Sequence, residues 1–163
     1  MRLAPQEIRT FFVTAVTWQR RPIFHAEPIA QLFLDTLFRY RDQGKFLLHE
    51  FVLMPDHFHL LITPAREVSL EKAVQLIKGG FSFRVKREMH SNLEVWQTGF
   101  TEHRVRDWSD FELHRRYIRE NPVRARLVDG AAEYLYSSAA AFTVDPEPPW
   151  LKPHLEKAAL SPA

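Results

Sequence analysis

The sequence predicts an α+β fold of the ferredoxin-like type, in which an antiparallel sheet has the element order βαββαβ and one further helix follows. Segments rich in β-branched and aromatic residues alternate with segments whose apolar residues recur every three to four positions. In addition, only Pro55-Asp56 separates two apolar segments, which indicates a tight connection between antiparallel strands. A chain of 163 residues is long enough to bury the core of one such domain.

Each element follows from its local pattern. The aromatic and β-branched residues of 8–18 predict the first strand, and the helical spacing of apolar residues in 26–40, ended by Gly44, predicts the first helix. Ser69 is a suitable N-cap for the second helix. The remaining strands are predicted at 45–54, 57–63 and 99–106.

The last predicted helix begins near Trp108 and carries Tyr117. Ser109 and Glu112 have the spacing of a capping box, and Trp108 with Leu113 has that of a hydrophobic staple. Because this helix follows the fourth strand, it has to pack outside the βαββαβ unit, and the open face of the sheet is available to it.

Composition limits the class of protein. The absence of cysteine excludes disulfides and thiolate metal sites. No apolar segment approaches the roughly 20 residues of a membrane span, and the N-terminus lacks the features of a signal peptide, so we expect a cytoplasmic protein without a membrane partner. The prolines of 145–153 predict that one domain, residues 1–144, is followed by a flexible tail, residues 145–163.

The net charge of +2 is unevenly distributed. Residues 78–126 hold eleven Lys and Arg against seven Asp and Glu, a surplus of +4. A phosphate backbone would require such a surplus, although solvated helices commonly carry one too.

Two histidines, His57 and His59, stand two residues apart in the predicted third strand. Alternate residues of a strand point to the same face, so the two imidazoles lie side by side. They could hold one divalent metal if a third ligand arrives from elsewhere. They could equally be two polar residues on the solvated face of a half-covered sheet.

Three motifs together give the chain a resemblance to a known family. They are LMPDHFHLLI at 53–62, WQTGF at 96–100 and YIRENPVRARLV at 117–128. In this order and at these spacings, the chain resembles the REP-associated tyrosine transposases, a branch of the HUH single-strand nucleases, from about residue 9 to residue 138. Two positions depart from the family pattern, since Asp56 stands where Asn is usual and Arg126 where Gly is frequent.

The resemblance implies a metal-dependent single-stranded DNA endonuclease and strand transferase that acts at hairpin-containing repetitive sites through a 5′-phosphotyrosine. Tyr117 would be the nucleophile, and His57, His59 and Asn121 would bind Mg²⁺ or Mn²⁺. The partners would be single-stranded or hairpin DNA, bound by a monomer or homodimer in the bacterial cytoplasm, associated with the nucleoid. Cationic residues predicted to contact the DNA are Lys78, Arg84, Lys86, Arg87, Arg115, Arg116 and Arg119.

Several alternatives remain open at the level of sequence. Asn121-Pro122 also has the pattern of an N-cap and first residue of a new helix, and Pro122 disfavours helical backbone at Asn121. The adjacent glycines Gly79 and Gly80 in the second predicted helix would allow another group, such as DNA, to approach the helix backbone closely. His103 is expected at the surface or strand edge rather than as a third ligand. Two other functions stay open: an inactive hairpin-binding module, and a metallohydrolase that uses water as its nucleophile.

Overall fold

The computed structural model describes residues 8–151. The strands are β1 Phe11–Val16, β2 Phe46–Met54, β3 His57–Pro64 and β4 Thr101–Arg104. The helices are α1 Glu27–Asp42, α2 Leu70–Glu88 and α3 Trp108–Arg124. The order β1-α1-β2-β3-α2-β4-α3 is the one predicted from the sequence. Among the described residues, no helix is both long and apolar enough to cross a membrane.

The four strands form one sheet in the order β2-β3-β1-β4, and each neighbouring pair is antiparallel. The tight connection at Pro55-Asp56 makes β2 and β3 a hairpin, in which Met54 pairs with His57. β1 lies between β3 and β4, so that Thr14 pairs with His59 and Phe12 with His103. This arrangement confirms the predicted ferredoxin-like sheet.

Helices α1 and α2 cover one face of the sheet. Alternate residues of β3, among them Phe58 and Leu60, are fully buried there against Phe33 of α1 and Phe81 of α2. The ring centroids of Phe33 and Phe58 lie 5.2 Å apart, and those of Phe33 and Phe81 lie 5.4 Å apart. Tilted and edge-to-face pairs at these distances add to the energy of apolar burial.

Helix α3 packs on the opposite face. Phe111 and Ile118 of α3 are fully buried against Val52 of β2 and Leu61 of β3. The face that the sequence left open is therefore occupied by the helix that carries Tyr117, and the side chains of β3 that point away from α1 and α2 lie beneath it.

The ends of α3 differ from two expectations. Its N-cap is Asp107, whose backbone is extended and whose carboxylate accepts a hydrogen bond from Asp110 N at 2.8 Å. The predicted Ser109 cap is wrong, because Ser109 lies inside the helix. The predicted new helix at Asn121 is also not seen, since α3 continues through Pro122 to Arg124 and Asn121 O accepts from Ala125 N at 3.0 Å.

Residues 145–151, expected to begin a flexible tail, pack on the domain. Asp145 accepts hydrogen bonds from the Arg41 guanidinium at 3.0 and 3.1 Å and from Leu48 N at 2.8 Å. Leu151 is buried beside α3. The rest of the expected tail, residues 152–163, lies outside the described residues.

Candidate active site

His57 and His59 lie on the sheet face that α3 covers, because Phe58 between them points to the opposite core. Their ring centroids are 4.8 Å apart. His59 is nearly buried, with 6% of its surface exposed, while 19% of the His57 side chain is exposed. The two imidazoles are thus neighbours at the edge of a covered, partly solvent-accessible site.

The carboxylate of Asp56 orients His57. His57 Nδ1 lies 2.6 Å from Asp56 Oδ1. Burial alone would raise the pKa of Asp56, but the hydrogen bond and charge of His57, together with Arg20, lower it below its ordinary value. Because the ionised carboxylate can only accept, Nδ1 is the donor of this hydrogen bond, and Nε2 is the ring nitrogen that could face a metal. A carboxylate behind an imidazole is the usual support of a metal-binding histidine.

A threonine plays the same part for His59. Thr14 Oγ1 lies 2.7 Å from His59 Nδ1, a contact that follows from the pairing of Thr14 with His59 across β1 and β3. Burial, followed by the charges of His57 and Arg124, lowers the pKa of His59 to about 3. His59 is therefore neutral at physiological pH, which is the form of imidazole that binds metal.

Tyr117 reaches this site from α3. Its ring centroid is 5.3 Å from that of His59 and 5.9 Å from that of Phe12. The Arg124 guanidinium lies 4.4 Å from the centre of the Tyr117 ring. Tyr117 is 39% exposed, and within residues 8–151 no protein group hydrogen-bonds its hydroxyl, which is thus available to a ligand. Tyr117, Phe12 and Arg124 line a cleft of about 310 Å³ together with His114, and His59 lies outside its lining.

Asn121 follows Tyr117 by four residues on the same continuous helix. Residues at this spacing share a helix face, so the side chain of Asn121 lies one turn beyond Tyr117. Asn121 is half-buried. Its helical backbone, hydrogen-bonded to Ala125, holds it in a defined register with the tyrosine.

Of the three arginines predicted to bind DNA on α3, two are engaged by the protein. Arg115 pairs with Glu112 and, at 2.7 Å, with Glu147. Arg119 lies 3.3 Å from the carboxylate of Glu50, although about half of its side chain remains exposed. Arg116 is exposed and lines the Tyr117 cleft, so it is the best placed of the three for a phosphate.

The predicted DNA-binding cations of α2 lie on the opposite side of the sheet from His57, His59 and Tyr117. Lys78 Nζ donates to Gln97 O at 3.1 Å and Gly99 O at 2.7 Å. Arg84, whose side chain is only 14% exposed, pairs with Asp35 and Glu88. These two cations hold the fold together, whereas Lys86 and Arg87 are exposed. DNA contact by the α2 residues stays a prediction.

The glycine pair in α2 has an explanation within the protein. A Cβ on Gly80 would lie 2.6 Å from the hydroxyl oxygen of Tyr40, so the close approach is made by α1. A Cβ on Gly79 would meet no atom within 4 Å among the described residues. Of the two neighbouring phenylalanines, Phe81 is core and Phe83 is 60% exposed.

Sequence reasoning missed three side chains that shape the site: Phe12, Thr14 and Arg124. Phe12 stacks on His59 with a centroid distance of 5.1 Å. The alternation of β1 places Phe12 and Thr14 on one face, but their contact with His59 depends on the β1–β3 register. Arg124 is seven residues, or two helical turns, after Tyr117, and this spacing was the available signal.

Known proteins resemble the chain in sequence and in fold. A family model described as "Transposase IS200 like" matches residues 9–121. A presumed REP-associated tyrosine transposase of Haemophilus influenzae is 30% identical over 96 residues, which cover 53% of this chain and 54% of that protein. The chain therefore spans about half the length of this relative. The REP-associated tyrosine transposase of Escherichia coli is 22% identical over 141 residues, with 81% of each protein covered.

A solved structure of a REP-associated tyrosine transposase bound to a REP hairpin has a TM-score of 0.70 and 22% identity, covering 85% of this chain and 81% of that one. A presumed transposase from Deinococcus radiodurans has a TM-score of 0.53 and 19% identity, covering 74% and 97% of the two chains. At these identities the two structures establish the fold. The family match spans more than half of the sequence and includes both histidines and Tyr117. The chain therefore belongs to the IS200-like transposase family, and the resemblance to REP-associated tyrosine transposases is confirmed.

Proposed function

We propose that this protein cleaves and rejoins single-stranded DNA at hairpin-containing sites, with Tyr117 as the nucleophile and a divalent metal bound at His57 and His59. The observation that carries the proposal is the position of Tyr117, whose ring packs edge-on against that of His59 at 5.3 Å and whose side chain lines an open cleft. The fold is that of a transposase bound to a REP hairpin, and this supports hairpin DNA as the substrate class.

The donor set suits the metal that the family implies. His57 and His59 can each offer Nε2, since both use Nδ1 in hydrogen bonds to Asp56 and Thr14. Asn121 would add an amide oxygen, the kind of donor that Mg²⁺ and Mn²⁺ prefer. A divalent ion held there would withdraw charge from a non-bridging phosphate oxygen.

Tyr117 would form the new bond to phosphorus while the 3′ oxygen of the preceding nucleotide leaves. The products are a 5′-phosphotyrosine and a free 3′-hydroxyl, so the phosphodiester is exchanged rather than hydrolysed. A second 3′-hydroxyl can therefore reverse the step and join strands without ATP. The guanidinium of Arg124 beside the ring and the exposed Arg116 favour both the phenolate and the bound phosphate.

The test is a covalent-adduct assay with the full chain, Mn²⁺ and end-labelled single-stranded DNA that contains a hairpin. We expect a protein–DNA adduct that survives denaturation, and mass spectrometry should locate the linkage at Tyr117. Binding without an adduct would instead identify an inactive hairpin-binding module. Free 5′-phosphate ends without an adduct would identify water as the nucleophile.

A further inference from the structure

A second group of potential metal ligands lies between β4 and α3. It consists of His103 on β4 with Asp110 and His114 on α3, and we call it the β4–α3 cluster. His103 Nε2 lies 2.7 Å from Asp110 Oδ2, and His114 Nδ1 lies 3.1 Å from Asp110 Oδ1. One ligand atom from each residue lies within 4.8 Å of the other two.

Secondary structure brings these three residues together. Asp110 and His114 are four residues apart on α3 and share a face of the helix. His103 pairs with Phe12, whose ring is 4.7 Å from that of His114, so His103 is on the sheet face beneath α3. The rings of His103 and His114 are nearly parallel, with centroids 4.6 Å apart.

The cluster is held in place and open on one side. Asp110 Oδ2 also accepts from Arg106 N at 3.1 Å, which fixes the carboxylate at the start of α3. The side chains of Asp110 and His114 are each 18% exposed, whereas that of His103 is 44% exposed. An ion could enter from the His103 side and keep solvent as a further ligand.

The β4–α3 cluster is distinct from the His57 and His59 pair. The ring of Phe12 lies between them, since it stacks on His59 at 5.1 Å and contacts His114 at 4.7 Å. The two groups also differ in the place of their carboxylate, because Asp110 lies against both imidazoles of the β4–α3 cluster, whereas Asp56 is hydrogen-bonded to His57.

We propose that the β4–α3 cluster is a second metal site, which binds a divalent transition metal of the Zn²⁺ class and ties β4 to the helix that carries Tyr117. Two imidazoles and one carboxylate are a common protein ligand set for Zn²⁺. Ligand atoms around tetrahedral Zn²⁺ are on the order of 3.3 Å apart for bonds of about 2.0 Å. The separations of Asp110 from His103 and His114, 2.7 and 3.1 Å, are close to this value, and all three ligand atoms lie within 4.8 Å of one another. An ion bound to the Asp110 carboxylate would replace the proton that His103 Nε2 directs at it. It would also replace the proton on His114 Nδ1, which lies 2.8 Å from the backbone carbonyl oxygen of Asp110.

The experiment is a measurement of Zn²⁺ stoichiometry by equilibrium dialysis of the full chain. Because Zn²⁺ can also occupy the His57 and His59 pair, the starting protein is the His57→Ala/His59→Ala variant. We expect this variant to bind one equivalent, and we expect Asp110→Asn in the same background to lose it. Glu102→Gln, which changes the neighbouring exposed carboxylate on β4, is the matched control and should keep the equivalent.

Two results would overturn the proposal: a His57→Ala/His59→Ala protein that binds no Zn²⁺, or one whose Zn²⁺ survives Asp110→Asn. If no Zn²⁺ binds, the cluster only joins β4 to α3 by hydrogen bonds. If Zn²⁺ survives Asp110→Asn, the ion binds elsewhere. If Asp110→Asn disturbs α3 by circular dichroism, His103→Gln at the more exposed edge replaces it with the same expectation. None of these readouts depends on DNA cleavage, so they are independent of the function proposed for Tyr117.

Discussion

Replacing Tyr117 by Phe should abolish covalent chemistry and leave the fold unchanged. The variant lacks one oxygen and retains the ring that contacts His59, Phe12 and Arg124. Among the described residues the hydroxyl has no protein hydrogen bond, so its loss leaves no protein group unsatisfied. We therefore expect the free energy of unfolding to change by no more than about 0.5 kcal/mol, as for other surface substitutions.

Tyr134→Phe is the matched control, because it removes the same atom from a tyrosine with a structural role. The Tyr134 hydroxyl donates to Leu53 O at 2.6 Å, and burial, followed by the proximity of Tyr136, raises the pKa of Tyr134 to about 12. Loss of the Tyr134 hydroxyl leaves the Leu53 carbonyl on β2 without this donor, and the free energy of unfolding should fall by about 1–2 kcal/mol. For a chain of this size each kcal/mol lowers Tm by ~2–4 °C.

The two variants should give opposite results in two assays. In thermal unfolding, Tyr117→Phe should match the wild type while Tyr134→Phe melts several degrees lower. In the adduct assay with Mn²⁺ and hairpin DNA, Tyr134→Phe should form the adduct at temperatures where it is folded, and Tyr117→Phe should form none while still binding DNA. An adduct with Tyr117→Phe would refute the assignment of the nucleophile. Cleavage by Tyr117→Phe without an adduct would show that water attacks.

Three further predictions concern stability. His59 has a folded-state pKa of about 3, below the ordinary 6.5. As the pH falls below 6.5, this histidine therefore becomes protonated in the unfolded chain but stays neutral in the folded one. In urea titrations, the free energy of unfolding of the metal-free protein should therefore fall by up to about 1.4 kcal/mol per pH unit between pH 6.5 and 3. For His59→Gln the free energy of unfolding should fall less steeply with acid. Equal slopes for the two proteins would contradict the burial of this imidazole. Arg126 has φ of 59°, a left-handed conformation that favours glycine. Arg126→Gly should therefore raise the free energy of unfolding by about 0.5–1 kcal/mol. A loss of stability would show that the contacts of the arginine side chain outweigh the strain of its backbone. Gly79→Ala should stabilise α2 by up to about 1 kcal/mol, because a Cβ there meets no neighbouring atom among the described residues. In Gly80→Ala the new Cβ would meet the Tyr40 side chain, so calorimetry should show a lower melting temperature than for Gly79→Ala. Equal melting temperatures would show that Tyr40 moves aside without an energetic cost.

Much of the fold could be predicted because its elements have local signatures. The alternation around His57 and His59 identifies β3, and the two-residue connection at Pro55-Asp56 identifies the hairpin. The prediction for α3 was right in its position and wrong in its cap, since Asp107 and Ser109 are both good capping residues and only the path of the preceding chain selects between them. Pro122 misled for a related reason, because tertiary packing holds α3 helical through a residue that disfavours it.

The sequence by itself determined that His57 and His59 share a face of β3 and that Tyr117 and Asn121 share a face of α3, because these relations depend on the repeat of one strand and one helix. Only the tertiary structure decided that the two faces meet. The partners of the site come from strand pairing over long separations, such as Thr14 with His59, 45 residues apart, and this pairing has no local signature. The same holds for the cations. Lys78 and Arg84 have the charge that DNA would require, but Gly99 and Asp35 are brought to them by the packing of the whole domain. The pair of Arg84 with Glu88, four residues later on α2, is local and has a sequence signature.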